Sequence, residues 1–99
     1  MPPSINQASV VANRSGIASA ATALSANENR RKLIIQNLGT NPLFVKFGAG
    51  ASTTSFDLIL KVAGGADDGT GGFYESDNVV YTGIVTIAGT TPRYTATEI

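Results

Sequence analysis

The sequence predicts an all-β domain, a small antiparallel β-sandwich or jelly-roll-like barrel with an extended N-terminal arm. Three observations carry this. Short runs rich in Val, Ile, Leu, Phe and Thr recur along the chain, and several alternate apolar with polar residues. Clusters of Gly, Pro, Asn and Asp punctuate those runs at intervals of about 8–12 residues. Seven or eight strands then fit within 99 residues, a density that suits two packed sheets.

Residues 1–13 mix Pro, Ser, Asn and Gln with scattered Ile5, Val10 and Val11. Such a segment suits an extended arm lying on a partner, or a loose tail, better than a packed element. The division is therefore an arm over 1–13 and a single β-sandwich domain over 14–99. Residues 17–26 (IASAATALSA) fit both a helical stripe and an alternating strand. Alanine favours helix, whereas the Ser and Thr density and the Asn27-Glu28-Asn29 turn favour strand, which is the reading adopted.

The next two runs, 32–37 (KLIIQN) and 43–47 (LFVKF), flank Leu38-Gly39-Thr40-Asn41-Pro42 and read as a hairpin. Leu33 and Ile35 share one strand face, and Leu43, Val45 and Phe47 share another, with Gln36 and Lys46 outward. Residues 56–62 alternate strictly, placing Phe56, Leu58, Leu60 and Val62 on one face. The Gly-rich stretch 64–72 (GGADDGTGG) is a surface loop. Further strands are expected at 73–75, 78–81, 83–87 and 93–98.

Four Phe, three Tyr and no Trp leave Leu, Ile and Val to supply most of the core. Each fully buried side chain contributes roughly 1.5–3 kcal/mol. There is no Cys, so no disulfide reinforces the fold and the redox compartment is left open. Association with copies of itself or a larger scaffold would add burial. Net charge is +0, which gives no long-range field toward nucleic acid or an anionic membrane, and neither partner is expected. No apolar run approaches the roughly 20 residues of a membrane span. The N-terminus pairs no basic start with an apolar region, so no secretory signal is expected and the mature chain is expected to begin near Met1.

Without His or Cys, Ser-His-Asp and Cys-His catalysis are impossible within the chain, and the commonest transition-metal ligands are missing. A carboxylate pair drawn from Asp57, Glu75 and Asp77 is the remaining enzymatic option, but solvated strand and turn carboxylates are ordinary. No catalytic, metal or cofactor residue is assigned, and an enzyme is not expected. The 64–72 loop lacks the Lys-Ser/Thr of a phosphate-binding loop, and its adjacent Asp67 and Asp68 do not alternate as calcium ligands do. Arg30-Arg31-Lys32 is either a grip on an acidic patch of a partner or on a phosphate backbone, or a solvated edge that discourages mispairing. Tyr74, Tyr81 and Tyr94 either line a sugar-binding groove or bury their rings in the sheets.

The stretch Asn29-Arg30-Arg31-Lys32-Leu33-Ile34-Ile35-Gln36-Asn37, followed by Gly39-Thr40-Asn41-Pro42-Leu43-Phe44-Val45-Lys46-Phe47-Gly48, resembles a pattern of small tailed-phage virion proteins. In these an "N-x-x-R-x-x-L-x-I-Q-N" strand leads through a Gly-Asn-Pro turn into a "V-x-F-G" strand. Tyr81-Thr82-Gly83-Ile84-Val85 is similar to the "Y-T-G-x-V" that often closes such domains. The resemblance implies a non-enzymatic structural protein of the virion. For a chain without heptads or shaft sequence, it implies a capsid decoration or cement protein. Such a protein is made in the host cytoplasm, sits on the outer capsid surface and bridges subunits of the major capsid protein, with copies of itself in a trimer at three-fold sites. The expected partner contacts are Pro2, Pro3, Ile5, Arg30, Arg31, Tyr74 and Tyr81. A tail or fibre component, or a carbohydrate-binding receptor or adhesion domain, is the alternative.

Overall fold

The computed structural model describes the backbone of residues 10–13 and the whole of residues 21–99. Eight strands form among them: β1 (Val10–Asn13), β2 (Ala21–Leu24), β3 (Leu33–Asn37), β4 (Leu43–Phe47), β5 (Leu58–Leu60), β6 (Phe73–Glu75), β7 (Val85–Ala88) and β8 (Arg93–Glu98). They build two four-stranded sheets, β1-β8-β3-β6 and β2-β7-β4-β5, and every strand pairing is antiparallel. This order is the jelly roll. Only β4 and β5 pair with their neighbour in the chain; every other connection between successive strands carries the chain to the opposite sheet.

The alternation read from the sequence positions the core. Leu33 and Ile35 of β3, Tyr94 and Ala96 of β8, Leu43 and Val45 of β4, and Val85 and Ile87 of β7 are all buried and pack between the sheets. Slipping β3, β4 or β8 by one residue would turn its inward apolar pair out of the core, so burial fixes their register.

Several boundaries differ from expectation, each for a physical reason. Strands β3 and β4 are not a hairpin: β3 pairs with β6 and β8, and β4 with β5 and β7. The connection between them is an arch from one sheet to the other, held by Asn37. Its side chain lies inward, almost wholly buried, at the end of β3. The Asn37 amide nitrogen donates to the carbonyls of Asn41 at 2.9 Å, Leu60 at 3.1 Å and Lys61 at 3.1 Å, while its oxygen accepts from the Gly39 N–H at 2.9 Å. One side chain thus replaces the backbone ladder that a hairpin would have supplied.

The alternation of 56–62 breaks at Asp57. Its N–H donates to the Val45 carbonyl and its carboxylate accepts the Phe47 N–H at 2.8 Å. The strand is thereby limited to Leu58–Leu60, and Phe56 packs edge-on against Phe44, with centroids 5.0 Å apart, rather than in the core. Residues 78–81 form no strand, and β7 starts at Val85 rather than at 83. Four residues of the expected arm, Val10–Asn13, pair with β8 as a sheet edge. Residues 14–20 of the expected domain start and residues 1–9 of the arm lie outside the described residues.

The arch makes a specific demand on residue 37. Asn37→Ala strips partners from buried carbonyls and one N–H, each worth about 1–3 kcal/mol when left unsatisfied, and is expected to destabilise the fold by about 3 kcal/mol. Asn37→Asp, of equal size, is expected to do no better because a carboxylate cannot donate to the three carbonyls. Urea midpoints compared with Thr40→Ala, an exposed control, check this; an Asp variant as stable as the parent would refute it.

Candidate functional site

A second polar group organises the other end of β3. Arg30 is 3% exposed, and so is not the solvated edge or partner grip expected of it. Its Nε donates to Glu98 Oε1 at 2.9 Å, Nη1 to the carbonyls of Tyr81 at 2.7 Å and Gly83 at 3.1 Å, and Nη2 to the Ser25 carbonyl at 2.8 Å. A buried guanidinium is tolerable only when its donors are matched in this way. Its planar fork lets one residue hold the end of β8, the exit of β2 and the approach to β7 together. Asn27, whose carbonyl accepts the Arg30 N–H and whose side chain accepts the Asn29 N–H, shapes the turn that aims it inward.

The other expected contact residues separate. Arg31 is exposed, and Lys32 pairs with Glu75. Tyr74 and Tyr81 are half-buried on either side of Phe47, with centroids 5.4 and 5.2 Å from its ring, and so close one end of the core across the two sheets. A Cβ at Gly83 would lie 2.3 Å from the Tyr81 hydroxyl, so glycine there admits the ring. Tyr94 is fully buried in the core. The three tyrosines therefore form no common groove. Pro2, Pro3 and Ile5 lie outside the described residues.

The carboxylates are likewise dispersed. Asp57 is held by the Phe47 N–H on the β4–β5 side, whereas Glu75 and Asp77 line a groove at the β6 edge with Lys32, Phe73 and Ser76. Among the described residues no cluster of three or more acidic side chains could hold a metal ion. In the 64–72 loop, Asp68 accepts from the N–H groups of Gly65 and Thr70 and from the Thr70 hydroxyl, an internal brace rather than an open cradle. Asp67, in left-handed backbone (φ 62°), receives both Nε and Nη2 of Arg93. That bidentate pair forms one wall of a shallow groove of about 420 Å³ that also includes Asn41 and Thr91.

What sequence reading missed is surface exposure. Phe73 (63%), Ile59 (53%) and Val79 (80%) present apolar side chains to solvent. Phe73 and Ile59 sit on edge strands, and Val79 on the irregular 76–84 segment. For Ile59 the sequence signal was its position opposite the face of Phe56, Leu58 and Leu60.

Arg30→Met leaves Glu98 and three carbonyls unmatched and is expected to cost roughly 3–5 kcal/mol, with Arg30→Lys intermediate, whereas Arg31→Ala should change stability by less than about 0.5 kcal/mol; chemical denaturation of the three variants reads the difference. The carboxyls of Asp67, hydrogen-bonded to Arg93, and of Asp68, hydrogen-bonded to Thr70, are held below their ordinary value of 3.8. A lowered native value contributes stability that is present above pH 3.8 and is lost as pH falls through the native values. The Asp67→Asn/Asp68→Asn variant should therefore lose stability less steeply than the parent below pH 3.8, as read from urea midpoints across pH 2–5.

No protein-family model, no curated protein and no solved structure matches the chain.

Proposed function

We propose that the protein is a non-enzymatic structural component of a phage virion, a decoration or cement protein that binds the outer capsid surface and bridges neighbouring subunits of the major capsid protein. The observation that carries this reading is the stretch from Asn29 to Gly48. It is the part of the chain that resembles virion proteins, and its residues serve the scaffold. Arg30 and Asn37 join the two sheets, Leu33, Ile35 and Val45 fill the core, and Phe47 packs between Tyr74 and Tyr81. A motif made of scaffold residues identifies a kind of domain rather than a reaction centre, and the jelly roll is an architecture recurrent in capsid proteins.

On this reading the work is done by surfaces: the N-terminal residues, Arg31 and the exposed apolar side chains on sheet edges and loops. Copies of the chain associate on the shell, where a crowded lattice makes individually weak contacts sufficient.

Co-sedimentation of the purified protein with undecorated phage heads tests the reading. Saturable binding to heads, weakened when residues 1–9 are removed so that β1 (Val10–Asn13) is kept, is expected. Absence from heads combined with binding to isolated tails or fibres would move the protein to the tail, and binding to neither would overturn the virion assignment.

A further inference from the structure

The hydrogen bonds of β6 leave one side of it open. Gly72 accepts the Asn37 N–H, and Ser76 donates to the Leu33 carbonyl. With Ile35 opposite Tyr74 between them, the antiparallel alternation turns the Tyr74 backbone groups toward β3 and those of Phe73 and Glu75 away from the sheet. No strand among the described residues pairs with that side, because β6 ends the order β1-β8-β3-β6.

The other edges whose side chains are described are blunted. Strand β2 carries a register irregularity between Thr22 and Leu24. At β5 the Asp57 N–H reaches the Val45 carbonyl although Leu58 stands opposite Val45, an irregularity at the start of the strand that leaves only Ile59 with its backbone turned outward. Such irregularities are ordinary protections of an edge. Strand β6 has none, and it displays Phe73 at 63% exposure.

We propose that β6 is a docking edge for a second copy of the chain, paired antiparallel about a two-fold axis through Tyr74. In this register Phe73 of each copy lies opposite Glu75 of the other, and the two residues exchange both backbone hydrogen bonds, so every outward group of the strand is satisfied. The register also places the exposed knob in a recess. Phe73 and Glu75 share the outer face, beside a groove of about 430 Å³ lined by Lys32, Phe73, Glu75, Ser76 and Asp77. The Phe73 ring of one copy enters this groove on the other, above the Lys32–Glu75 pair, where the ammonium meets the ring face. Knob and recess belong to one patch, which is the self-complementarity a two-fold interface requires. A three-residue edge buries well under the roughly 1,600 Å² of a standard interface, so the pairing is weak in solution and favoured where copies are held close together.

The edge geometry carries this pairing whatever the protein binds, and its failure would leave head binding untouched. Light scattering of the purified chain should give a mass rising from one copy toward two as concentration increases into the high micromolar range. Glu75→Pro removes an outward N–H that the fold does not use and is expected to hold the protein at one copy while leaving its melting temperature within a few degrees. The chain has no cysteine, so a mixture of Phe73→Cys and Glu75→Cys proteins should form a disulfide-linked pair on mild oxidation, and neither variant should do so alone. A mass that stays at one copy, a mass that approaches three, or cross-linking as efficient in the separate variants as in the mixture would each overturn the proposal.

Discussion

The buried amide of Asn37 is the constraint on which the rest of the fold depends. A jelly roll sends the chain from sheet to sheet at nearly every connection, and each crossing takes backbone groups out of a ladder and into the space between layers. Those groups need partners, since a buried unpaired carbonyl or N–H costs as much as a good hydrogen bond gains. Asn37 supplies them at the β3–β4 crossing, reaching Asn41 within the arch and the end of β5 in the facing sheet. Its own backbone is closed in as well: a Cβ on Gly71 would lie 1.8 Å from the Asn37 carbonyl oxygen, so the 64–72 loop returns against β3 only with glycine there.

Arg30 solves the matching problem at the opposite end of β3. The carbonyls of Ser25, Tyr81 and Gly83 belong to segments leaving or approaching the facing sheet, and Glu98 closes β8 in its own. One strand is thus pinned at both ends by polar side chains, with Leu33 and Ile35 packed between them. The arrangement suits a domain with no disulfide and a modest core: a few matched polar groups specify how the layers meet, while the apolar residues provide most of the burial.

Much of this was legible in the sequence. Alternation placed β3 and β4 and their inward residues Leu33, Ile35, Leu43 and Val45, because one buried face imposes a period of two. The all-β class, a sandwich or jelly-roll-like barrel, followed from strand number and turn spacing. Partners were not legible. Leu38-Gly39-Thr40-Asn41-Pro42 looks like a hairpin turn, and although alternation puts Asn37 on the face of Leu33 and Ile35, nothing local shows the carbonyls of β5 that it meets there to make an arch. Arg30 and Arg31 are chemically identical and adjacent in the chain, yet one is buried and the other exposed, because only the first meets carbonyls that come from 51 and 53 residues away. Asp57 looked like a solvated strand residue and instead ends the alternation by binding backbone. The open edge at β6 was hidden for the same reason, since an edge is defined by which strands are not neighbours.

If Asn37 and Arg30 hold the layers together, the two sheets should not separate before the whole molecule unfolds. Native-state hydrogen exchange measures this most directly, at the N–H groups of Gly39, Ala63 and Gly72, which are bonded to the Asn37 side chain, the Gly39 carbonyl and the Lys61 carbonyl, respectively. The account predicts that these amides exchange only through global unfolding, with the same opening free energy as Val45 and Ile87 in the central strands. Exchange at Gly39 and Ala63 by a local opening, while the central strands stay protected, would contradict it.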